Sequence, residues 1–120
     1  MDKYVDGFVI PIPKANVEKY REMAQKAGDI WMEKGALGYY ECVGDDLEIE
    51  NMLSFKTIAG AADDETVIFA WIVYESREQR DRINEAVMND PRLKADMEAG
   101  KDIFDFKRMA YGGFKTLVRL

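Results

Sequence analysis

Residues 66–75, TVIFAWIVYE, hold nine consecutive apolar or β-branched residues with no polar alternation. A strand written this way is buried on both faces. The opening stretch KYVDGFVIPIP makes a similar demand: Tyr4, Phe8 and Ile10 share one face of a strand, and Val5 and Val9 the other. Two strands therefore need cover from above and below. That requirement limits the available architectures more than any motif does.

The remaining elements follow from changes of period. Strand 3–10 is ended by Pro11 and Pro13. From about Lys14 to Lys34, Val17, Tyr20, Ala24, Ala27 and Trp31 recur at helical spacing, and Gly35 suits the position just past the helix end. Gly28 inside that stripe marks close packing on the sheet, since glycine costs about 1 kcal/mol there against alanine. LGYYECV, 37–43, reads as a strand. An acid-rich connection follows, with a short helix fitting 54–59. Ser76-Arg77-Glu78-Gln79 has the form of a capping box opening a helix to about Met88. Asp90-Pro91 starts another through about Glu98. A last strand spans 109–118, where Gly112-Gly113 suggests a bulge or a close backbone approach.

The order β-α-β-β-α-β is the ferredoxin-like arrangement, an α+β fold with a four-stranded antiparallel sheet. All 120 residues fit one domain, with no linker or low-complexity stretch. Two helices cover only one face of such a sheet. The other face calls for a partner, and a second copy is the simplest, so a homodimer packed sheet to sheet is expected.

Composition narrows function mainly by exclusion. The chain has no histidine and one cysteine, Cys42. Zinc sites built from those ligands, histidine-dependent triads and histidine-ligated haem are therefore ruled out. No metal site or cofactor is expected. The acidic run Asp45, Asp46, Glu48, Glu50 lacks the spacing of a calcium loop and reads as solvated. A formal net charge of −6, with basic residues interleaved among acids as in ESREQRDR, argues against a nucleic-acid partner. No apolar run approaches membrane-spanning length, so the expected address is the cytoplasm with no membrane association.

Two residues break the pattern of their strands. Asp6 lies on the face shared by Tyr4 and Phe8, and Glu41 stands between Tyr39 and Val43. An unpaired buried carboxylate costs several kcal/mol, so each needs a partner. For Asp6 the simplest partner is Lys107 or Arg108 beside the last strand. The alternative is a polar group lining a pocket, with Asp6 and Glu41 as candidate acid/base residues. Trp31, Tyr39, Trp71 and Tyr111 are candidate ligand-binding residues. Aromatics of this kind equally fill a core or a dimer seam. Arg77, Arg80, Arg82, Arg92 and Lys94 read as salt-bridged surface.

The stretches YVDGFVIPIPK (4–14), GALGYYECVGDD (35–46), FAWIVYESREQRD (69–81), VMNDPR (87–92) and KRMAYGGF (107–114) resemble the YbaA-like bacterial proteins grouped as domain of unknown function 1428. The similarity spans nearly the whole chain in the same order. It implies a dimeric α+β barrel, and it carries over no reaction and no catalytic residue. The 47–65 connection departs from the family pattern in its acids and alanines. At the level of fold, three readings stand side by side. One is a dimer that binds a small apolar or aromatic metabolite. Another is a cofactor-independent monooxygenase or isomerase with a carboxylate base. The third is an interaction dimer with no ligand site.

Overall fold

The computed structural model describes residues 2–120. Four strands, β1 (Tyr4–Pro13), β2 (Gly38–Val43), β3 (Glu65–Tyr74) and β4 (Ala110–Lys115), form one antiparallel sheet in the order β2-β3-β1-β4. Helices α1 (Val17–Glu33), α3 (Arg77–Met88) and α4 (Pro91–Ala99) pack on one face, and the short α2 (Phe55–Ala59) interrupts the acid-rich connection. This is the ferredoxin-like α+β fold that the strand and helix order predicts. No described helix is long and apolar enough to cross a membrane.

The local signals act as their chemistry requires. The Ser76 hydroxyl accepts from the Gln79 amide and so caps α3, while the Gln79 side chain accepts from the Glu75 amide. Asp90 caps α4 by accepting from Arg92 N at 2.8 Å, with Pro91 in the first turn. Gly35, at φ 116°, follows the end of α1. Gly28 is buried, and a Cβ there would sit 2.7 Å from the Tyr39 ring. Helix α1 thus approaches β2 only because position 28 has no side chain.

Strand β1 runs through both prolines to Pro13 rather than stopping at Ile10. The reason is register. Strand β4 pairs only with Tyr4–Val9, whereas β3 continues to Pro13. The Lys14 amide donates to Asp64 O on the β3 side, so by alternation the missing N–H groups of Pro11 and Pro13 face the edge that β4 has already left. Strand β4 is shorter than 109–118 and unbulged: its pairing with β1 is continuous from Ala110 to Lys115.

Asp6, Phe8, Ile10 and Ile12 of β1 and Ile68, Ala70, Ile72 and Tyr74 of β3 have the parity that faces the helices; all but Phe8 are buried. The opposite face carries Val5, Gly7, Val9, Tyr40, Phe69, Trp71 and Phe114. Helix α2 contacts β1 and β3, with the Phe55 ring against Phe69, and at that end Pro11 and Val67 are buried. The rest of this face is open, with Tyr40 at 55% and Phe114 at 62% exposure.

Candidate functional site

Asp6 is 1% exposed, and its partners come from two elements, α3 and β4. Arg80 of α3 places Nε 3.2 Å from Oδ1. Asn84, one turn further on, donates from Nδ2 to Oδ2 at 3.3 Å, and the Tyr111 hydroxyl of β4 donates to the same oxygen at 3.1 Å. The other end of the Asn84 amide is used as well: its Oδ1 accepts from Trp31 Nε1 at 3.1 Å and from the Tyr74 hydroxyl at 3.0 Å. Arg80 also donates to the Tyr4 hydroxyl at 3.0 Å and lies over the Tyr4 ring. Gly113, opposite Asp6 on β4, leaves the space that the Arg80 and Tyr4 tips occupy.

The electrostatics follow from this packing. Burial, reinforced by the Asp6 charge, pushes the Tyr74 and Tyr111 phenols up. The ion pair is close without being an aligned hydrogen bond, because neither Asp6 Oδ1 nor Arg80 Nε has a hydrogen-bond partner. One carboxylate oxygen is therefore doubly bonded while the other holds only the charge contact.

Neither expected partner of Asp6 is paired with it. Arg108 grips Glu65 through two 2.8 Å contacts and donates to Gly60 O. Lys107 lies with it in a short 3-10 turn, Phe106–Arg108. Arg80, read from its charged neighbours as surface, is only 17% exposed at its side chain. The sequence did hold a signal for it. Arg80 and Asn84 continue the Ile83–Val87 stripe at three- and four-residue spacing, so the inner face of α3 is apolar at one end and polar at the other.

Glu41 forms a second cluster. Its Oε1 accepts from the Tyr20 hydroxyl at 2.7 Å and its Oε2 from the Tyr39 hydroxyl at 2.6 Å. Burial pushes its carboxyl up from the ordinary range, and the two phenol donors hold it back. The phenols of Tyr20 and Tyr39 are pushed up by burial and then by the Glu41 charge. Strand β3 separates Asp6 on β1 from Glu41 on β2, so the carboxylates have separate partners and form no proton-sharing pair.

Both clusters open on one cavity of about 420 Å³ between the sheet and the helices. Asp6, Asn84, Trp31 and Tyr111 stand in its wall with Glu41, Tyr20 and Tyr39, and Ile10, Met23, Leu93, Met97 and Phe104 supply apolar surface. Its size falls within the range of small-molecule sites, and its few polar groups sit in a largely apolar lining, as such sites do. The candidate residues Asp6, Glu41, Trp31, Tyr39 and Tyr111 all line it. Trp71 does not. It lies across the sheet, stacked on Tyr40 with ring centroids 4.9 Å apart, and borders a groove on the open face with Phe69 and Phe114. Cys42, an ordinary buried hydrophobe by type, is exposed. Among the described residues no cluster of three Asp, Glu, His or Cys side chains could hold a metal ion.

Comparison with known proteins identifies the family of the chain. A family profile described as "Protein of unknown function (DUF1428)" matches residues 3–106. The uncharacterized protein YbaA of Escherichia coli strain K12 is 44% identical over 117 residues, covering 97% of each chain. The chain belongs to the DUF1428 family. Its Shigella flexneri relative, also an uncharacterized YbaA, matches at the same 44% over 97% of each chain. Solved structures extend the likeness of this DUF1428 fold at low identity. SnoaB from Streptomyces nogalater, a cofactor-independent oxygenase, superposes with a TM-score of 0.65 at 12% identity, covering 100% of this chain and 98% of its own. A dimeric ferredoxin-like protein from an uncultured marine organism gives 0.66 at 9% identity over the whole of both chains. A putative antibiotic biosynthesis monooxygenase from Nitrosomonas europaea gives 0.64 at 12%, covering 97% and 91%. At these identities the likeness is one of fold.

Proposed function

We propose that the whole chain, as one domain, forms a cytoplasmic homodimer and binds a small apolar or aromatic metabolite in the cavity between sheet and helices. The observation that carries this reading is the convergence of two separate polar clusters, around Asp6 and Glu41, on one apolar cavity of about 420 Å³. A core built for stability alone is better served by filling such a space with side chains, because its wall atoms otherwise lack packing partners.

The dimer half rests on the open face. Scaling from the 13.8 kDa mass gives a folded surface of roughly 6,600 Å², and the chain exposes 8,027 Å². The excess is larger than the roughly 800 Å² that each partner gives up in a standard interface. Tyr40, Phe69 and Phe114 are the exposed rings that a twin would cover. An exposed thiol at Cys42 suits a reducing compartment such as the cytoplasm. The dimeric neighbour of the same fold supports self-association.

A second reading is a cofactor-independent oxygenase or isomerase, favoured by the Asp6 carboxylate in the cavity wall, whose Oδ1 is buried against Arg80 and accepts no aligned hydrogen bond. Asp6 would take a proton from the bound substrate, with Asn84 and Tyr111 orienting its other oxygen. The SnoaB likeness in fold supports it. Thermal shift against a panel of small aromatic and apolar metabolites tests the first reading, and a panel without one stabilising compound sinks both. The Asp6→Asn protein separates them: retained binding with lost turnover selects the enzyme.

A further inference from the structure

The polar groups of the cavity are unequal in sign. Three carboxylates line it, those of Asp6, Glu41 and Asp96, and no lysine or arginine does. The Asp6 charge is answered from behind by Arg80. Glu41 and Asp96 have no ion pair among the described residues, and Asp96 Oδ2 is buried with no hydrogen-bond partner. Both line the cavity with Tyr39, which donates to Glu41, and the Tyr39 hydroxyl also feels the Asp96 charge. Each Glu41 oxygen accepts one phenol and keeps a second lone pair. The rings of Tyr20 and Phe104 meet edge to face at the same wall. Carboxylates with acceptor capacity left over, beside aromatic faces, are the chemistry that recognises an organic cation.

Building on the ligand-binding reading above, we infer that the cavity selects an amine: an ammonium group at the Glu41–Asp96 end, on an aromatic or alkyl body lying along Met23, Leu93 and Met97 toward Asn84 and Trp31. The titratable groups facing this end come from every wall. They are the phenols of Tyr20 on α1 and Tyr39 on β2 and the carboxylates of Glu41 on β2 and Asp96 on α4; Lys26 of α1 is exposed and outside the lining, and Asp96 feels it only as a charge. A bound ammonium supplies the missing donors. A carboxylate ligand meets like charge, and a neutral head leaves Glu41 without a counterion and Asp96 Oδ2 without a donor.

The test is titration calorimetry at pH 7 with three probes of one body: 4-phenylbutylamine, 4-phenylbutanol and 4-phenylbutyrate. The amine is expected to bind at least about tenfold more tightly than the alcohol, with the acid weakest. In Glu41→Gln and in Asp96→Asn, each checked for folding by circular dichroism, the amine advantage is expected to shrink to about threefold or less while the alcohol keeps its affinity. Having two variants keeps the test intact if one does not fold. An alcohol that binds as tightly as the amine overturns the cation preference and leaves the ligand cavity standing. Variants that keep the full amine advantage also overturn it, by moving the cation elsewhere. Failure of all three probes to bind at millimolar concentration overturns both the preference and the cavity reading beneath it.

Discussion

Asp6 on the first strand and Arg80 on the third helix sit 3.2 Å apart, although 74 positions separate them in the chain, and the carboxylate is 1% exposed. The pair fastens α3 to the sheet beside the cavity. Removing one member of a buried pair leaves the other charged and unanswered, which costs about 3 kcal/mol. Arg80→Met is expected to lose that much in urea denaturation. The double variant Asp6→Asn/Arg80→Met is expected to lose less than the two single losses together, and strict additivity in that cycle would show the two charges uncoupled.

Glu41 makes a pH prediction with a definite sign. Its carboxyl is raised in the fold by burial, so the unfolded chain ionises first as pH rises. The Glu41 contribution is full below its unfolded value near 4.5, declines as pH climbs through the higher folded value, and is level beyond it. Glu41→Gln keeps groups able to bond both Tyr20 and Tyr39 and lacks the titration. Between pH 4.5 and neutrality its stability is expected to fall less than that of the wild type. Parallel curves for the two proteins would remove the assigned shift.

Glu65 works in the opposite direction. The Arg108 hydrogen bonds, followed by the Ala62 amide, pull its carboxyl down to about 2. Its stabilising contribution is therefore present above about 4.5 and lost as pH falls through about 2. Glu65→Gln is expected to have a lower urea midpoint at pH 7, with the difference from wild type closing toward pH 2. A difference that stays constant with pH would assign the loss to packing.

Gly28→Ala sets helix propensity against contact. In an open helix the change gains about 1 kcal/mol. At position 28 the new methyl meets the Tyr39 ring, which is tethered to Glu41 at 2.6 Å and cannot move away freely. A net loss of about 1–3 kcal/mol is expected in thermal unfolding, as for other overpacked sites. A more stable variant would show that the ring yields.

The open face is tested by charge. Wild type is expected to sediment with twice the 13.8 kDa chain mass, and Phe69→Glu/Phe114→Glu as a monomer with unchanged circular dichroism. A monomeric wild type at micromolar concentration removes the dimer.

Much of this architecture was legible because its causes are local. Ser76 and Gln79, Asp90 and Pro91, and Gly28 each announce a cap or a close approach through their own chemistry. The two misfit acids in apolar strands pointed to the cavity wall. What stayed hidden depended on contacts between distant segments. Arg80 shares the spacing of the inner stripe of α3, but that Asp6 is what it meets is set only when α3 is laid over the sheet. Trp71 lies in a run apolar on both sides, where hydrophobicity cannot tell the helix-covered face from the open one. The reach of β1 through its prolines is set by where β4 stops, and no property of the prolines themselves reports that.

Tyr111 and Phe114 share the edge strand β4, one bonded to Asp6 beneath the helices and the other bare on the far side. The sheet is a partition a single backbone thick, so the proposed ligand and the proposed second copy would touch opposite surfaces of the same wall. Any shift of that outer strand to suit a subunit contact would also move the phenol that steadies the acid. Selection on one property would then leave its imprint on the other.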